Sequence, residues 1–177
     1  MCVCAYELSV SVFFSVFLHP LTSTLRPSLR SLFMYQILIN NASAIDNSDT
    51  LALKPKKYDL MHSVNARGSF MCSQLALANG LLESKHGHVL NMSPPLDMDP
   101  RWFKMGGVAY TVAKYNMSMF AMGMAEEFKS RNVAFNCLWP RTAIATSAIE
   151  MLGGKMALKA SRSVDIMADT AHWVGLE

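Results

Sequence analysis

Residues 35–40, YQILIN, form a short apolar run that gives way at once to polar residues. Consecutive isoleucine and leucine are typical of a parallel strand buried on both faces, because such a strand has no solvent side. Residues 87–93, GHVLNMS, give the same signal and stop at Pro94, which cannot donate to a strand ladder. Residues 132–138, NVAFNCL, form a third run. The sequence therefore predicts three buried strands.

Helical patterns separate these strands. Apolar residues recur at helical spacing from about residue 58 to 82 and, more strongly, from 110 to 129. One more helix is predicted from about 164 to 174, after a break at Gly153-Gly154. Strands that alternate with helices imply a parallel sheet with right-handed crossovers. The predicted fold class is α/β.

The composition limits the classes of function that the chain can have. The 177 residues suffice for one domain, and 51% hydrophobic against 16% charged residues argues against disorder. The net charge of +3 comes from scattered Lys and Arg without a basic stripe, so no nucleic-acid partner is expected. Cys2, Cys4, Cys72 and Cys137 form no C-x-x-C pair, and the histidines show no metal-ligand spacing. We expect no metal site and a reducing compartment.

Residues 1–34 differ in texture from the rest. Their apolar run, Leu8–Leu18, is about half of the ~20 residues needed to span a bilayer, and no basic region precedes it. We expect an atypical apolar and irregular N-terminal segment over 1–34 and a separate domain over 35–177. Membrane association is not expected, although a signal anchor stays an alternative.

The residues that suit chemistry fall at one edge of the predicted sheet. Ligands of parallel sheets gather at the carboxyl ends of the strands, which brings together the loops after Asn40, Ser93 and Trp139. Tyr110 and Lys114 follow the second of these loops. Four residues apart on a predicted helix, they share a face.

This pair suits proton transfer. A phenol has a pKa of ~10, and an adjacent ammonium favours its ionised form. Such a tyrosine can exchange a proton with a carbinol oxygen while hydride moves at carbon, and the lysine is suited to hold a cofactor ribose. The Y-x-x-x-K spacing alone is a common coincidence in helices. Whether the pair is functional therefore depends on the motifs that surround it in the sequence.

Those neighbours come in a recognisable order. Asn40-Asn41-Ala42-Ser43 follows a strand, Asn65 lies in the next helix, Ser93 ends the second strand, and Tyr110-x-x-x-Lys114 opens the helix after it. In this order and context, from about Gln36 to the end, the chain resembles the short-chain dehydrogenase/reductase superfamily. The resemblance implies a partial Rossmann-like parallel sheet with flanking helices, its first βαβαβ portion missing.

The resemblance also implies roles for single residues. Tyr110 would be the proton donor and acceptor, Lys114 the ribose holder and modulator of the tyrosine pKa, and Asn65 the support of a water relay. Besides Tyr110 and Lys114, the residues implied to bind NADP or NAD are Asn41 and Ala42, near the adenosine ribose, and Pro140, Ile144 and Thr146, near the nicotinamide. Asn65 has a structural alternative, a bond to backbone only; Pro140 has another, ending a strand.

Ser93 is the fourth candidate catalytic residue. The family's usual serine lies thirteen residues before the tyrosine, where this chain has Asp97. Because the proline-rich loop is longer here, either Ser93 or Pro94 stands at the position of that serine. A hydroxyl close to the substrate oxygen would polarise it.

Two departures from the family pattern bear on activity. Ser43 stands where the turn usually has glycine, and the glycine-rich turn T-G-x-x-x-G-x-G is absent, since no glycine precedes Gly68. That turn brings the backbone and a helix N-terminus to the pyrophosphate. The expected function is NAD(P)-dependent alcohol–ketone interconversion; the alternative is a catalytically inactive truncated isoform or gene copy.

Substrate, assembly and location follow only as expectations. The apolar loop Trp102–Met105 is suited to cover a lipid-like substrate, fatty-acyl or steroid-like, with ordinary surface packing as the alternative. The residues present do not distinguish NADP from NAD. The resemblance implies a possible homo-oligomer and a peroxisomal or mitochondrial location, with the cytoplasm as the default otherwise.

Overall fold

A computed structural model describes residues 36–176. Its three strands, β1 (Ile37–Asn40), β2 (Gly87–Asn91) and β3 (Val133–Cys137), form one parallel sheet in the order β1-β2-β3. All three lie inside the apolar runs of the sequence. The predicted α/β class and the parallel sheet are confirmed.

The helices account for most of the remaining chain. The helical segment between β1 and β2 consists of α1 (Pro55–Met61), the π-helical turn π1 (His62–Gly68), α2 (Ser69–Ala76) and a second segment, π2 (Leu77–Leu81), which is kinked where Asn79 and Gly80 leave the helical conformation. Between β2 and β3 lie α3 (Pro100–Gly106), α4 (Val108–Glu127) and a short 3₁₀ turn (Lys129–Arg131). The segment after β3 contains α5 (Ser147–Lys159) and α6 (Asp165–Leu176). The predicted helices 58–82, 110–129 and 164–174 correspond to α1–π2, α4 and α6.

Two helices, α3 and α5, were not predicted. Asp99 caps α3 by accepting a hydrogen bond from the backbone N–H of Arg101 at 2.9 Å, and Pro100 occupies the first helical position. The predicted break at Gly153-Gly154 is found as a kink within α5, where Gly154 has φ +66°. Glycine allows this backbone without steric strain.

The apolar core lies between the sheet and the helices α1–π2 and α4. Its buried cluster consists of Leu38, Leu77, Leu81, Val89 and Val133. Each such side chain contributes about 1.5–3 kcal/mol by leaving water. Side chains alternate along a strand, so the neighbouring positions face the other side of the sheet, where α6 packs.

Buried amides fix the carboxyl ends of β1 and β2. The Asn40 Nδ2 donates to Ser73 Oγ at 3.1 Å and to Asn91 Oδ1 at 2.7 Å, and the Asn91 Nδ2 donates to the Met117 carbonyl at 2.8 Å. A buried amide without partners costs about 1–3 kcal/mol, so this network selects one arrangement of strands and helices. It sets the positions from which the functional loops leave the sheet.

Within residues 36–176, no helix is long and apolar enough to cross a membrane. The expectations for residues 1–34 concern a segment outside the described residues. The boundary between residues 34 and 35 therefore stays a prediction.

Candidate active site

Three loops meet at the carboxyl edge of the sheet. They are residues 41–54 after β1, 92–99 after β2 and 138–146 after β3. The Met92 N–H donates to the Asn40 carbonyl at 3.1 Å, and the Leu138 N–H donates to the Asn91 carbonyl at 2.9 Å. These bonds hold the loop bases together, and α4 begins beside them.

Tyr110 lies half-buried in the first turn of α4, with its hydroxyl hydrogen-bonded to the Ser43 side chain in the loop after β1. Burial raises the pKa of Tyr110, and the bond from Ser43 opposes this only in part. The Lys114 ammonium does not contribute to this shift, since it binds the Met92 carbonyl instead. A modulating effect of Lys114 on the tyrosine pKa stays a prediction.

Lys114 is buried, with 3% of its surface exposed. Its Nζ donates to the Met92 carbonyl at 2.6 Å and lies 3.6 Å from the Met117 sulfur and 5.5 Å from the centroid of the Trp139 ring. Burial lowers the pKa of Lys114 to about 8. A carbonyl oxygen, a sulfur and an aromatic face thus surround this cation.

Ser93 is completely buried, and its hydroxyl accepts a hydrogen bond from Ser118 Oγ at 2.9 Å. Ser118 follows Tyr110 by eight residues, about 12 Å along the axis of α4. Ser93 therefore contacts α4 one turn beyond Lys114 and not at Tyr110. The hydroxyl that meets Tyr110 comes from Ser43. A catalytic role for Ser93 stays a prediction.

Asn65 is fully buried in π1 and binds the backbone of Ala44 through both amide atoms. Its Nδ2 donates to the Ala44 carbonyl at 2.9 Å, and its Oδ1 accepts from the Ala44 N–H at 2.8 Å. Asn65 thus makes the backbone hydrogen bonds of its structural alternative. These two bonds fix the loop that carries Ser43. A part in a water relay stays a prediction.

The predicted cofactor residues occupy two of the loops. Asn41 and Pro140 are half-buried and Ala42 is exposed. Ile144 is buried in a bridge to Arg162. Thr146 caps α5 by accepting from the Ile149 N–H at 3.4 Å. All of them lie in the loops that leave the carboxyl ends of β1 and β3, and their contacts with a cofactor stay predictions.

The contribution of the Thr146 cap to stability can be measured without a cofactor. Replacing Thr146 with alanine removes the cap acceptor and is expected to lower the free energy of unfolding by about 0.5–1 kcal/mol, while serine retains it. Urea denaturation followed by circular dichroism checks this. Equal stability of the alanine and serine variants would show that the long 3.4 Å bond stabilises nothing.

Residues 102–105 belong to α3, which folds back onto its own loop. The Trp102 indole N–H donates to Asp97 Oδ2 at 2.7 Å, the Tyr115 hydroxyl donates to the Asp97 carbonyl, and the Thr111 hydroxyl donates to the Trp102 carbonyl at 3.3 Å. Arg101 lies over the indole ring, 4.9 Å from its centroid. Sequence reasoning missed this brace between the long loop and α4.

Asp97 gives the brace a pH dependence. The bond from Trp102 and then that from the Asp99 N–H hold the pKa of Asp97 below its ordinary value of 3.8. A carboxyl whose pKa is lowered in the folded state stabilises that state at pH values above its unfolded-state pKa, and this contribution is lost as the pH falls through its folded-state pKa.

The asparagine in Asp97→Asn does not titrate. The melting temperature of this variant is therefore expected to fall less than that of wild type as the pH drops below about 4. Thermal melts across pH test this, with exposed Asp169→Asn as the control; equal acid losses in wild type and Asp97→Asn would contradict it.

An open cleft of about 330 Å³ lies between the loop after β1 and α5. Its lining consists of Ile45, Asp46, Asn47, Ser48, Lys57, Met151 and Leu152. Gly107, at the start of α4, packs so closely that an added Cβ would lie 3.2 Å from Asn47. The cleft therefore adjoins the turn that carries Tyr110. No cluster of three metal-ligating side chains occurs in the described part of the chain.

Comparison with known proteins agrees with this geometry. The family model described as short chain dehydrogenase matches residues 31–152. The chain is 53% identical over 136 residues to hydroxysteroid dehydrogenase-like protein 2 of Danio rerio, which is 77% of this chain and 32% of that protein. The chain thus spans about a third of the length of the curated relatives it matches.

Solved structures show the same likeness. A short chain dehydrogenase from Mycobacterium thermoresistibile superposes with a TM-score of 0.74 at 34% identity, covering 85% of this chain and 53% of that one. A 4-hydroxyisoleucine dehydrogenase complexed with NADH gives a TM-score of 0.66 at 24% identity, covering 89% of this chain and 66% of that one. The second match supports the fold alone.

Proposed function

Because this chain belongs to the short-chain dehydrogenase family, we propose that it contributes the proton-transfer and nicotinamide end of an NAD(P)-dependent oxidoreductase that interconverts an alcohol and a ketone. One observation carries the proposal: Tyr110 and Lys114 lie on one helix where three loops meet at the carboxyl edge of a parallel sheet. Ligands of such sheets bind at this edge.

Tyr110 is the proposed proton donor. A phenol with a raised pKa stays protonated at neutral pH, which is the form that donates a proton to a ketone oxygen. Ser43 holds the hydroxyl in place and can stabilise the phenolate left after transfer. When bound, the nicotinamide supplies or accepts the hydride.

Lys114 is the proposed holder of the cofactor ribose. Its ammonium can keep the Met92 carbonyl as one acceptor and offer its remaining N–H groups to ribose hydroxyls. Asn41 and Ala42 are proposed to line the adenosine ribose, and Pro140, Ile144 and Thr146 the nicotinamide. Asn65 is proposed to act by fixing the loop that carries Ser43. Ser93 is proposed to hold α4 in place through its hydrogen bond with Ser118. The water relay and a direct catalytic role of Ser93 stay open to test.

The proposed substrate is lipid-like, fatty-acyl or steroid-like. The lining of the cleft beside the start of α4 includes the apolar side chains of Ile45, Met151 and Leu152 together with polar ones from Asp46, Asn47, Ser48 and Lys57, and Met105 at the end of α3 is exposed. The apolar part of this lining suits the apolar body of a ketone, and the polar part suits its oxygen end.

A homologous series of ketones tests this substrate class. With NADPH or NADH as the reductant, KM is expected to fall about threefold to fourfold for each methylene buried in the cleft. The measurement is the initial rate of reduced-cofactor consumption. A KM that is independent of tail length would contradict the lipid-like substrate and favour ordinary surface packing for α3.

A catalytically inactive product is the second candidate. The observation in its favour is that no glycine precedes Gly68 in this sequence, so a glycine-rich turn before β1 is absent from the residues present. Backbone approach to a pyrophosphate normally needs that turn. Reduction of a ketone by the chain with NADPH or NADH, at a rate that falls in Tyr110→Phe, would exclude this candidate. A homo-oligomer and a peroxisomal or mitochondrial location also stay proposals.

A further inference from the structure

Trp139 is a tryptophan in the loop after β3 that lies close to Lys114. It follows β3 in a loop whose base is fixed by the bond from the Leu138 N–H to the Asn91 carbonyl. Trp139 is 41% exposed, and the Lys114 Nζ lies over its ring, 5.5 Å from the centroid. A partly exposed indole therefore lies close to a buried cation.

The groups that contact the Lys114 ammonium come from three different elements. The Met92 carbonyl approaches from the end of β2, and Met117 approaches from the next turn of α4. Both are uncharged, and Tyr110, one turn earlier, has its hydroxyl paired with Ser43. The Trp139 indole is the large side chain that reaches the ammonium from the loop after β3.

We propose that Trp139 is a positioning residue whose indole ring covers the Lys114 ammonium and holds it against the Met92 carbonyl. This inference rests on the proposed function in so far as Lys114 serves the reaction. The ring excludes water from the amine, which lowers the pKa of Lys114, and this effect outweighs the attraction of the ring's negative face for the ammonium, because burial is the cause of the lowered pKa. Through this contact the loop after β3 controls where the ammonium meets the cofactor and in which protonation state.

The test is an NMR titration of the Lys114 side chain in the 177-residue protein without cofactor. In wild type the midpoint is expected at about 8, because burial lowers the pKa of this lysine. Trp139→Ala admits water to the amine and is expected to move the midpoint toward the ordinary value of 10.5. Trp139→Phe keeps an aromatic cover and is expected to restore a midpoint near that of wild type.

Trp173 provides the matched control. It is 68% exposed on α6, so Trp173→Ala is expected to leave the Lys114 midpoint unchanged. A native amide spectrum of Trp139→Ala together with an unchanged Lys114 midpoint would overturn the proposal.

A second measurement covers the case in which Trp139→Ala does not fold. The fluorescence difference between wild type and Trp139→Phe is expected to change with pH at the Lys114 midpoint, because the indole senses the nearby charge. A flat difference between about pH 6 and 10 would overturn the proposal. Neither measurement needs turnover, so a failure of the proposed oxidoreductase function would be seen separately, as an absence of cofactor binding.

Discussion

Replacing Tyr110 with phenylalanine is expected to lower the rate of ketone reduction by about 10²–10⁴-fold. The substitution removes only the hydroxyl, so the ring still fills its half-buried place at the start of α4. What is lost is the proposed proton donor to the ketone oxygen. Cofactor affinity should change little, because Lys114 and the three loops are untouched.

The measurement is kcat with the best substrate of the ketone series, at saturating cofactor. Tyr58→Phe is the matched control, since Tyr58 is an exposed tyrosine on α1 and should leave kcat unchanged. Turnover of Tyr110→Phe at the wild-type rate would remove Tyr110 from the mechanism and leave proton transfer without its donor.

Replacing Asn65 with alanine is expected to have the largest effect on stability. The change deletes two hydrogen bonds to Ala44 at a completely buried position and leaves the backbone N–H and carbonyl of Ala44 without these partners. At about 1–2 kcal/mol for each lost bond, the free energy of unfolding should fall by roughly 2–4 kcal/mol. The loop that carries Ser43 should loosen at the same time.

Denaturant unfolding measures the stability, and hydrogen exchange of the Ala44 amide measures the loop. Asn79→Ala is a suitable control, because Asn79 is exposed and donates one bond, to the Leu75 carbonyl. A loss for Asn65→Ala no larger than for Asn79→Ala would show that the clamp does not hold the loop.

The strands and α4 could be predicted because their signals are strong and local. The run ILIN has no alternation and ends in polar residues, and α4 carries apolar residues at helical spacing over its twenty residues. The helix α3 was missed although Asp99-Pro100 is a good helix start, because seven residues give no periodicity. In α5, the pair Gly153-Gly154 concealed a helix that continues past a kink.

The site was predictable in its location and only partly in its contacts. The ends of the three predicted strands placed the loops after Asn40, Ser93 and Trp139 at one edge of the sheet, because parallel strands end together. Which hydroxyl meets Tyr110 depends on loop lengths and side-chain rotamers, and these leave no trace in periodicity. The bond from Ser43, and the cover that Trp139 gives Lys114, therefore became visible only in three dimensions.

The three loops at the carboxyl edge are proposed to receive a nicotinamide cofactor. This is tested by adding NADPH, and separately NADH, to the ¹⁵N-labelled chain and following the amide chemical shifts. We expect saturable shifts for at least one cofactor, confined to the loops after β1, β2 and β3 and to the start of α4, and much weaker shifts in Lys114→Met. Unchanged spectra at saturating concentrations, or shifts elsewhere in the chain, would contradict it.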